Sequence, residues 1–335
     1  MKFGIDRLRA EPALRKPLQG RRIALLAHPA SVSADLRHSL DVLCELPDLD
    51  VTAAFGPQHG LRGDKQDNMV ESEDFIDPAH GIPVFSLYGE VRRPTPRMME
   101  SFDVLLVDLQ DLGCRVYTFL TTLRYVLEAA AAHGKSVWVL DRPNPAGRPV
   151  EGLRLRPGWE SFVGAGPLPL RHGLTLGEAA RWFVRTLGLD VDCQVVAMEG
   201  WDPASAPGYG WPLGERAWVN PSPNASSLGM ARCYAGTVML EGTTLSEGRG
   251  TTRPLELFGQ LRRNRRGALP QRGRRRDHGR GGRDRLREHE RMVLVGGERL
   301  LLAGDRAEHD PAVRHGRGPQ LSLDQRHRAS PYCVP

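Results

Sequence analysis

Several short signatures that would settle a function are missing from this 335-residue sequence. No G-x-G-x-x-G follows the first apolar run, no G-x-x-x-x-G-K-[S/T] occurs and no G-x-S-x-G is present. Dinucleotide-binding, P-loop and nucleophile-elbow readings therefore lose their main support. No run of 18 apolar residues exists, so no membrane span is expected. The five cysteines (Cys44, Cys114, Cys193, Cys233 and Cys333) are scattered and form no C-x-x-C. That excludes a disulfide framework and a cysteine-based zinc site, and it predicts free thiols in a reducing compartment. The first residues, Met1-Lys2-Phe3-Gly4-Ile5-Asp6-Arg7, carry no apolar segment of the export type. A cytoplasmic protein is expected as written, with export left open to an upstream start.

Lysine is also scarce: the chain has 46 basic residues, 42 of them Arg, against 40 acids, for a formal charge of +6. The charge is divided unevenly. Residues 261–335 hold 19 Arg, no Lys and 9 acids, whereas the first 260 hold 27 basic and 31 acidic groups. The last 75 residues also contain no Ile, Phe, Trp or Thr, and Tyr332 is their one aromatic. A mildly acidic body therefore carries a strongly basic end, and the overall charge describes neither.

The body reads as α/β. Apolar runs at 22–27, 51–55, 83–88, 103–108 and 136–141 suit strands buried on both faces of a parallel sheet. Residues 193–198 read as one more strand, and Thr237-Val238-Met239-Leu240 as the start of another. Val116, Phe119, Leu120, Leu123, Val126, Leu127 and Ala130 recur at helical spacing up to Gly134, a helix-stop signal. Thr95-Pro96 looks like a helix start, and Thr175 with Glu178 forms a capping-box pattern. Alternating strands and helices predict a doubly wound α/β domain, with long ordered loops at 143–172 and 199–230.

Such sheets bind ligands beyond the carboxyl ends of their strands. Polar residues gather there: His59, Arg62 and Asp64 after the second run, Glu90 after the third, Asp108, Gln110, Asp111 and Arg115 after the fourth, and Asp141, Arg142 and Asn144 after the fifth. His59, in a Pro-Gly-flanked loop with no core to fill, reads as functional. Asp108 and Asp111 read equally as caps of the following helix, Asp141-Arg142 equally as a structural ion pair, and Glu90 as a solvated charge. On these grounds alone the chain is an enzyme or binding protein with a polar, carboxylate-bearing cleft.

Longer strings carry a resemblance. They include Phe55-Gly-Pro-Gln-His-Gly-Leu-Arg-Gly63, Gly81-Ile-Pro-Val-Phe-Ser-Leu-Tyr-Gly89, Asp108-Leu-Gln-Asp-Leu-Gly-Cys-Arg-Val-Tyr-Thr118 and Leu140-Asp-Arg-Pro-Asn-Pro145. Val150-Glu-Gly152, Arg171-His-Gly-Leu-Thr175, Pro221-Ser-Pro-Asn224 and Leu240-Glu-Gly-Thr-Thr-Leu-Ser-Glu-Gly-Arg-Gly-Thr251 follow in order. Together, from about residue 4 to 259, they resemble the NamZ/YbbC-like exo-β-N-acetylmuramidase family of peptidoglycan glycosidases. The resemblance implies a Rossmann-like catalytic domain (1–231), the start of a smaller C-terminal domain (232–260) and a cleft between them. It implies release of N-acetylmuramic acid from the non-reducing end of peptidoglycan fragments during cell-wall recycling, with no cofactor and no metal. Asp141, Glu151 and Asp111 are the candidate catalytic carboxylates. Gln58, His59, Arg62, Arg115, Tyr117, Arg142, Asn144, Asn224, Glu247 and Arg249 are the candidate substrate-binding residues. Arg62, Arg115 or Arg142 would pair with the lactyl carboxylate of the muramyl sugar.

One departure matters. Where many members of that family carry Glu-His-Gly, this chain has Gln58-His59-Gly60. An amide cannot exchange a proton as a carboxylic acid does, and glycoside hydrolysis usually uses two carboxyl groups. Another carboxylate takes the role, or the substrate's own N-acetyl group serves as nucleophile with Gln58 orienting it, or the chain binds muramyl sugars without cutting them. The Arg-rich end reads two ways. As a nucleic-acid-binding tail it offers phosphate contacts but few stacking aromatics, so only nonspecific binding is expected. The preferred reading is a shifted reading frame in a GC-rich gene. It predicts a largely disordered tail, loss of one cleft wall and a poorly soluble or inactive product.

Overall fold

The computed structural model describes residues 1–63, 71–204, 210–212, 214–260, 291–294 and 302–303. Its centre is a seven-stranded sheet of β1 (Arg22–Ala27), β2 (Asp50–Gly56), β3 (Phe75–Ile76), β4 (Pro83–Ser86), β5 (Val104–Asp108), β6 (Ser136–Leu140) and β7 (Cys193–Val196). The spatial order is β3-β4-β2-β1-β5-β6-β7, with every neighbour parallel except the short edge strand β3. Apart from that edge, the order along the sheet reverses direction between β1 and β5, as in a doubly wound Rossmann-like sheet.

Alternation along each strand sends side chains to two faces. Ala24, Leu26, Phe55, Leu105, Val107, Val137 and Val139 form one core with α5 (Phe119–His133) and α6 (Leu176–Leu187). Ile23, Leu25, Ala54, Leu106 and Leu140 form the other with α1 (Gly4–Ala10) and α3 (Ser39–Cys44). Each fully buried Val, Leu, Ile or Phe among them contributes about 1.5–3 kcal/mol, so the two cores clamp the sheet between its helices. Short helices α2 (Pro12–Arg15) and α4 (Pro96–Met99) complete this body. The long helix α5 ends where the periodicity predicts: Gly134 adopts φ +62° and its N–H returns to the Ala130 carbonyl. Helix α6 has the reciprocal Thr175–Glu178 capping bonds expected from its sequence.

After the loop that follows β7, α7 (Leu228–Thr237) runs directly into a 3-10 turn, Val238–Gly242. The strand expected from Thr237-Val238-Met239-Leu240 is therefore not formed. Thr237 closes the helix and its hydroxyl donates to the Cys233 carbonyl, while Met239 is 60% exposed and has no sheet to enter. A small antiparallel sheet follows, in the order β11 (Leu302–Ala303), β10 (Arg291–Leu294), β9 (Leu257–Gln260), β8 (Leu245–Ser246). The rest of the Arg-rich end, on which the shifted-frame and nucleic-acid readings fall, lies outside the described residues, as does Asp64.

Candidate active site

The reversal point between β1 and β5 is filled by the chain itself. His28, directly after β1, is fully buried. Its Nε2 accepts from the Gln110 N–H at 2.8 Å and its ring meets Phe119 edge-on at 4.7 Å. Burial and the nearby Arg142 guanidinium push this imidazole well below its ordinary pKa, so it stays neutral. Beside it, Arg142 donates to both oxygens of Asp108, at 2.5 and 2.8 Å, and to the Val32 carbonyl; Ser39 Oγ donates to Asp108 as well. Asp108 and Arg142 are 0% and 3% exposed. Arg142 thus has a structural partner, but it is Asp108 and not the adjacent Asp141. A void of about 20 Å³ lined in part by Gln110, Arg142 and Trp211 has room for one water molecule at most.

The open cleft lies to one side, past the ends of β2 and β5. Its volume is about 240 Å³. One wall carries Gln58 and His59 from the loop after β2, and Leu112, Val116, Tyr117 and Thr118 from the segment leading into α5. The other carries Ser222, Asn224, Met230, Tyr234, Glu241, Arg249 and Leu255, with Val163 at the edge. Met230 and Tyr234 come from one face of α7, four residues apart. The second wall is built ahead of the Arg-rich end, so the loss expected from a shifted reading frame does not reach these lining residues.

Local backbone chemistry sets the first wall. Gly60 N–H bonds the Pro57 carbonyl at 2.9 Å, closing a tight turn that places His59 at φ +74°. A positive φ is costly for a residue with a Cβ, and such strain gathers at functional sites. Gln58 Oε1 accepts from Thr118 Oγ1 at 2.9 Å, which ties the β2 loop to the start of α5. Tyr117 packs edge-on against Tyr234 at 6.2 Å, and burial raises both phenols well above their ordinary pKa, so both remain protonated donors. On the opposite wall Arg249 Nε lies 3.0 Å from Glu247 Oε1, and Arg249 Nη2 bonds Glu241. Glu247 is buried behind the arginine, whereas Glu241 is 43% exposed at the side chain.

The expected site residues divide cleanly. Gln58, His59, Tyr117, Asn224 and Arg249 line the cleft, with Glu247 behind Arg249. Asp111, next in sequence to the lining Leu112, is buried and does not line the cleft. Its Oδ2 accepts from the Gly113 N–H at 2.6 Å and faces His172 Nε2 at 3.2 Å, and its buried Oδ1 has no partner among the described residues. The Leu174 N–H donates to His172 Nδ1, which leaves the ring proton on Nε2 toward Asp111. Gly113, at φ +74°, is required here, because a Cβ would collide with Asn144 Oδ1. Asn144 itself is spent on structure, accepting from Ala146 N–H and donating to the Leu174 carbonyl. Arg115 donates to the Leu153 and Leu168 carbonyls and so fastens the long loop after β6. Glu151 pairs with Arg171 at 2.7 Å on that loop, 63% exposed and outside the cleft lining. Arg62 is held by Asp41 and Asp77 in a separate surface hollow.

Asp141 is a helix anchor. Its Oδ1 accepts from Gly177 N–H at 2.8 Å and its Oδ2 from Thr175 Oγ1 at 2.9 Å, at the start of α6. Burial nevertheless raises its carboxyl to about 6, the bonds from Gly177 and Thr175 pulling the other way. A folded value above the unfolded one, near ~3.9, means that folding favours the protonated form. This contribution to stability is complete below about pH 4 and is lost as the pH rises through about 6. Asp141→Asn keeps an acceptor for Gly177 and removes the charge. Its unfolding midpoint relative to wild type is expected to improve steadily from about pH 4 to about pH 7. A difference that stays flat across that range contradicts the assignment.

Sequence reading missed Thr118, Ser222, Tyr234 and Glu241 as lining residues. Thr118, Ser222 and Glu241 lie inside the family-like strings and were legible as members of them. Tyr234 carries no motif; its only signal is the four-residue spacing from Met230.

A Rossmann-like sheet, a plugged reversal point and a polar cleft between loops of that sheet and a following segment define a two-part α/β protein with its candidate site off the sheet's own crevice. Family models sharpen this class. Residues 23–229 match the N-terminal model of exo-β-N-acetylmuramidase NamZ, and residues 232–271 match its C-terminal model, past the point near residue 259 where the sequence resemblance ends. The chain belongs to the NamZ exo-β-N-acetylmuramidase family. It is 44% identical over 263 residues to the peptidoglycan β-N-acetylmuramidase NamZ of Bacillus subtilis, an overlap of 76% of this chain and 60% of that relative. The chain thus spans about three fifths of the relative's length. Crystal structures of two DUF1343 family proteins from Bacteroides fragilis are similar. One has a TM-score of 0.69 and 34% identity over 79% of this chain and 66% of its own. The other has a TM-score of 0.65 and 31% identity over 77% and 67%.

Proposed function

We propose that this chain is an exo-acting glycoside hydrolase that releases N-acetylmuramic acid from the non-reducing end of peptidoglycan fragments. The observation that carries the reading is the composition of the cleft. Gln58, His59 and Tyr117 from the segment matched to the N-terminal family model face Glu241 and Arg249 from the segment matched to the C-terminal one. The activity named for the Bacillus subtilis relative supports the substrate class. Hydroxyls, amides and one guanidinium above an apolar floor of Leu112, Val116, Met230 and Leu255 suit a polar ring with apolar C–H faces.

Glu241 is the carboxylate among the described lining residues. With an amide at Gln58, a route with one protein acid fits best. The substrate's acetamido oxygen attacks the anomeric carbon while the acid protonates the leaving oxygen, and water then opens the ring so formed. The Gln58 amide, anchored by Thr118, orients the acetamido group.

The test is release of chromophore from an aryl N-acetylmuramide by the full chain. Turnover that is lost in Glu241→Gln supports the reading. Saturable binding of the muramide with no release replaces it by a noncatalytic sugar-binding protein.

A further inference from the structure

We infer that Arg249 is the carboxylate-recognition residue of the cleft, and that a carboxylate-bearing sugar enters by taking the place of Glu241 on its guanidinium. The inference rests on the muramyl-sugar reading and names the group that reads the lactyl acid.

The arginines expected for that role are committed elsewhere. Arg62 is bound by Asp41 and Asp77, Arg115 by two loop carbonyls, and Arg142 by Asp108 deep in the fold. Arg249 is the arginine among the described lining residues. Its two partners are unequal. Glu247, 7% exposed at the side chain, sits on Nε and fixes the plane of the guanidinium from behind. Glu241, far more exposed and itself part of the lining, takes Nη2. Nη1 has no hydrogen bond among the described residues.

A guanidinium presents five N–H donors and grips a carboxylate best with two parallel ones. The Nη1–Nη2 edge is therefore half used by Glu241. A ligand carboxylate that takes both nitrogens gains the bidentate geometry that Glu241 lacks. The exchange swaps one carboxylate for another, so the Arg249–Glu247 pair is never left unbalanced, and the released Glu241 stays on the cleft wall, free of its ion pair for the proton transfer assigned to it above. A sugar without the acid has nothing to offer Arg249 and must bind with Glu241 still in place. The cleft then distinguishes N-acetylmuramic acid from N-acetylglucosamine by a competition inside the protein.

A merely structural ion pair predicts that removing either partner has the same effect. Exchange predicts opposite signs. Calorimetric titration of the full chain with free N-acetylmuramic acid and with N-acetylglucosamine separates the two. Arg249→Met is expected to weaken N-acetylmuramic acid about 10- to 100-fold and to leave N-acetylglucosamine within about twofold. Glu241→Gln removes the competitor and is expected to tighten N-acetylmuramic acid by about three- to tenfold. Arg249→Lys, which keeps the charge but not the fork, is expected to fall between wild type and Arg249→Met, and it stands in should the Met variant not fold. If both variants weaken the acidic sugar alike, or Arg249→Met keeps the preference, the exchange is wrong while the muramyl-sugar reading stands. A wild type that binds neither sugar overturns that reading and the inference together.

Discussion

Replacing Gln58 by Glu is expected to raise kcat on an aryl N-acetylmuramide by about 10²- to 10⁴-fold, the usual yield of a positioned general acid or base. The substitution is nearly isosteric. Thr118 Oγ1 already donates to Gln58 Oε1 at 2.9 Å, and a carboxylate oxygen in the same place accepts that bond unchanged. What changes is that the cleft gains a second carboxyl group, on the wall opposite Glu241. Two carboxyl groups flanking a glycosidic bond permit acid and base work that an amide cannot do. The rise should appear in kcat, with KM little altered, because the contacts that hold the ground state are kept. A Gln58→Glu variant no faster than wild type would mean that this position does not act on a proton, and that the burden stays with Glu241 and the substrate's own acetamido group.

The second large effect is on stability. Arg142→Met is expected to cost about 3–5 kcal/mol, since it strands the Asp108 carboxylate in the core. Asp108 is 0% exposed, and its other partner, Ser39 Oγ, supplies a hydrogen bond without balancing the charge. The pair also ties β5 to the segment after β6 and, through the Val32 carbonyl, to the segment after β1. Urea unfolding at neutral pH measures the cost. The double variant Asp108→Asn, Arg142→Met should recover a good part of it, because no uncompensated charge remains. A single-variant loss below about 1 kcal/mol would show that the carboxylate finds water or a proton instead.

The sheet was legible because its strands are short, apolar and buried on both faces, and because Gly134 and the Thr175–Glu178 pair punctuate the helices in the sequence itself. The Thr237 run misled because three apolar residues do not distinguish the end of a helix from a strand; Val238–Gly242 tightens into a 3-10 turn that continues α7. At the site, His59 was legible from its place in the loop after β2, whereas Gln58 and Tyr117 were legible only through the family-like strings that hold them. Arg62, Arg115, Arg142 and Asn144 share the same rim in sequence but are turned to partners that only the folded chain brings near. A carboxylate at a strand end can equally anchor a helix, as Asp141 does for α6, and nothing in its neighbours' identities separates the two fates. Tyr234 and Glu241 belong to a wall assembled from a later part of the chain, so their place opposite Gln58 is a tertiary fact.

The packing of His28, Ser39, Gln110 and the Asp108–Arg142 pair at the turn of the sheet has a consequence for how preference can change. With that crevice filled, the strands serve as a foundation, and the cleft is lined instead by the loop after β2, the lead into α5 and the segment around Arg249. Loops tolerate substitution far better than a buried hydrogen-bonded plug. A different preference is therefore within reach of a few loop changes that leave the scaffold and its folding untouched.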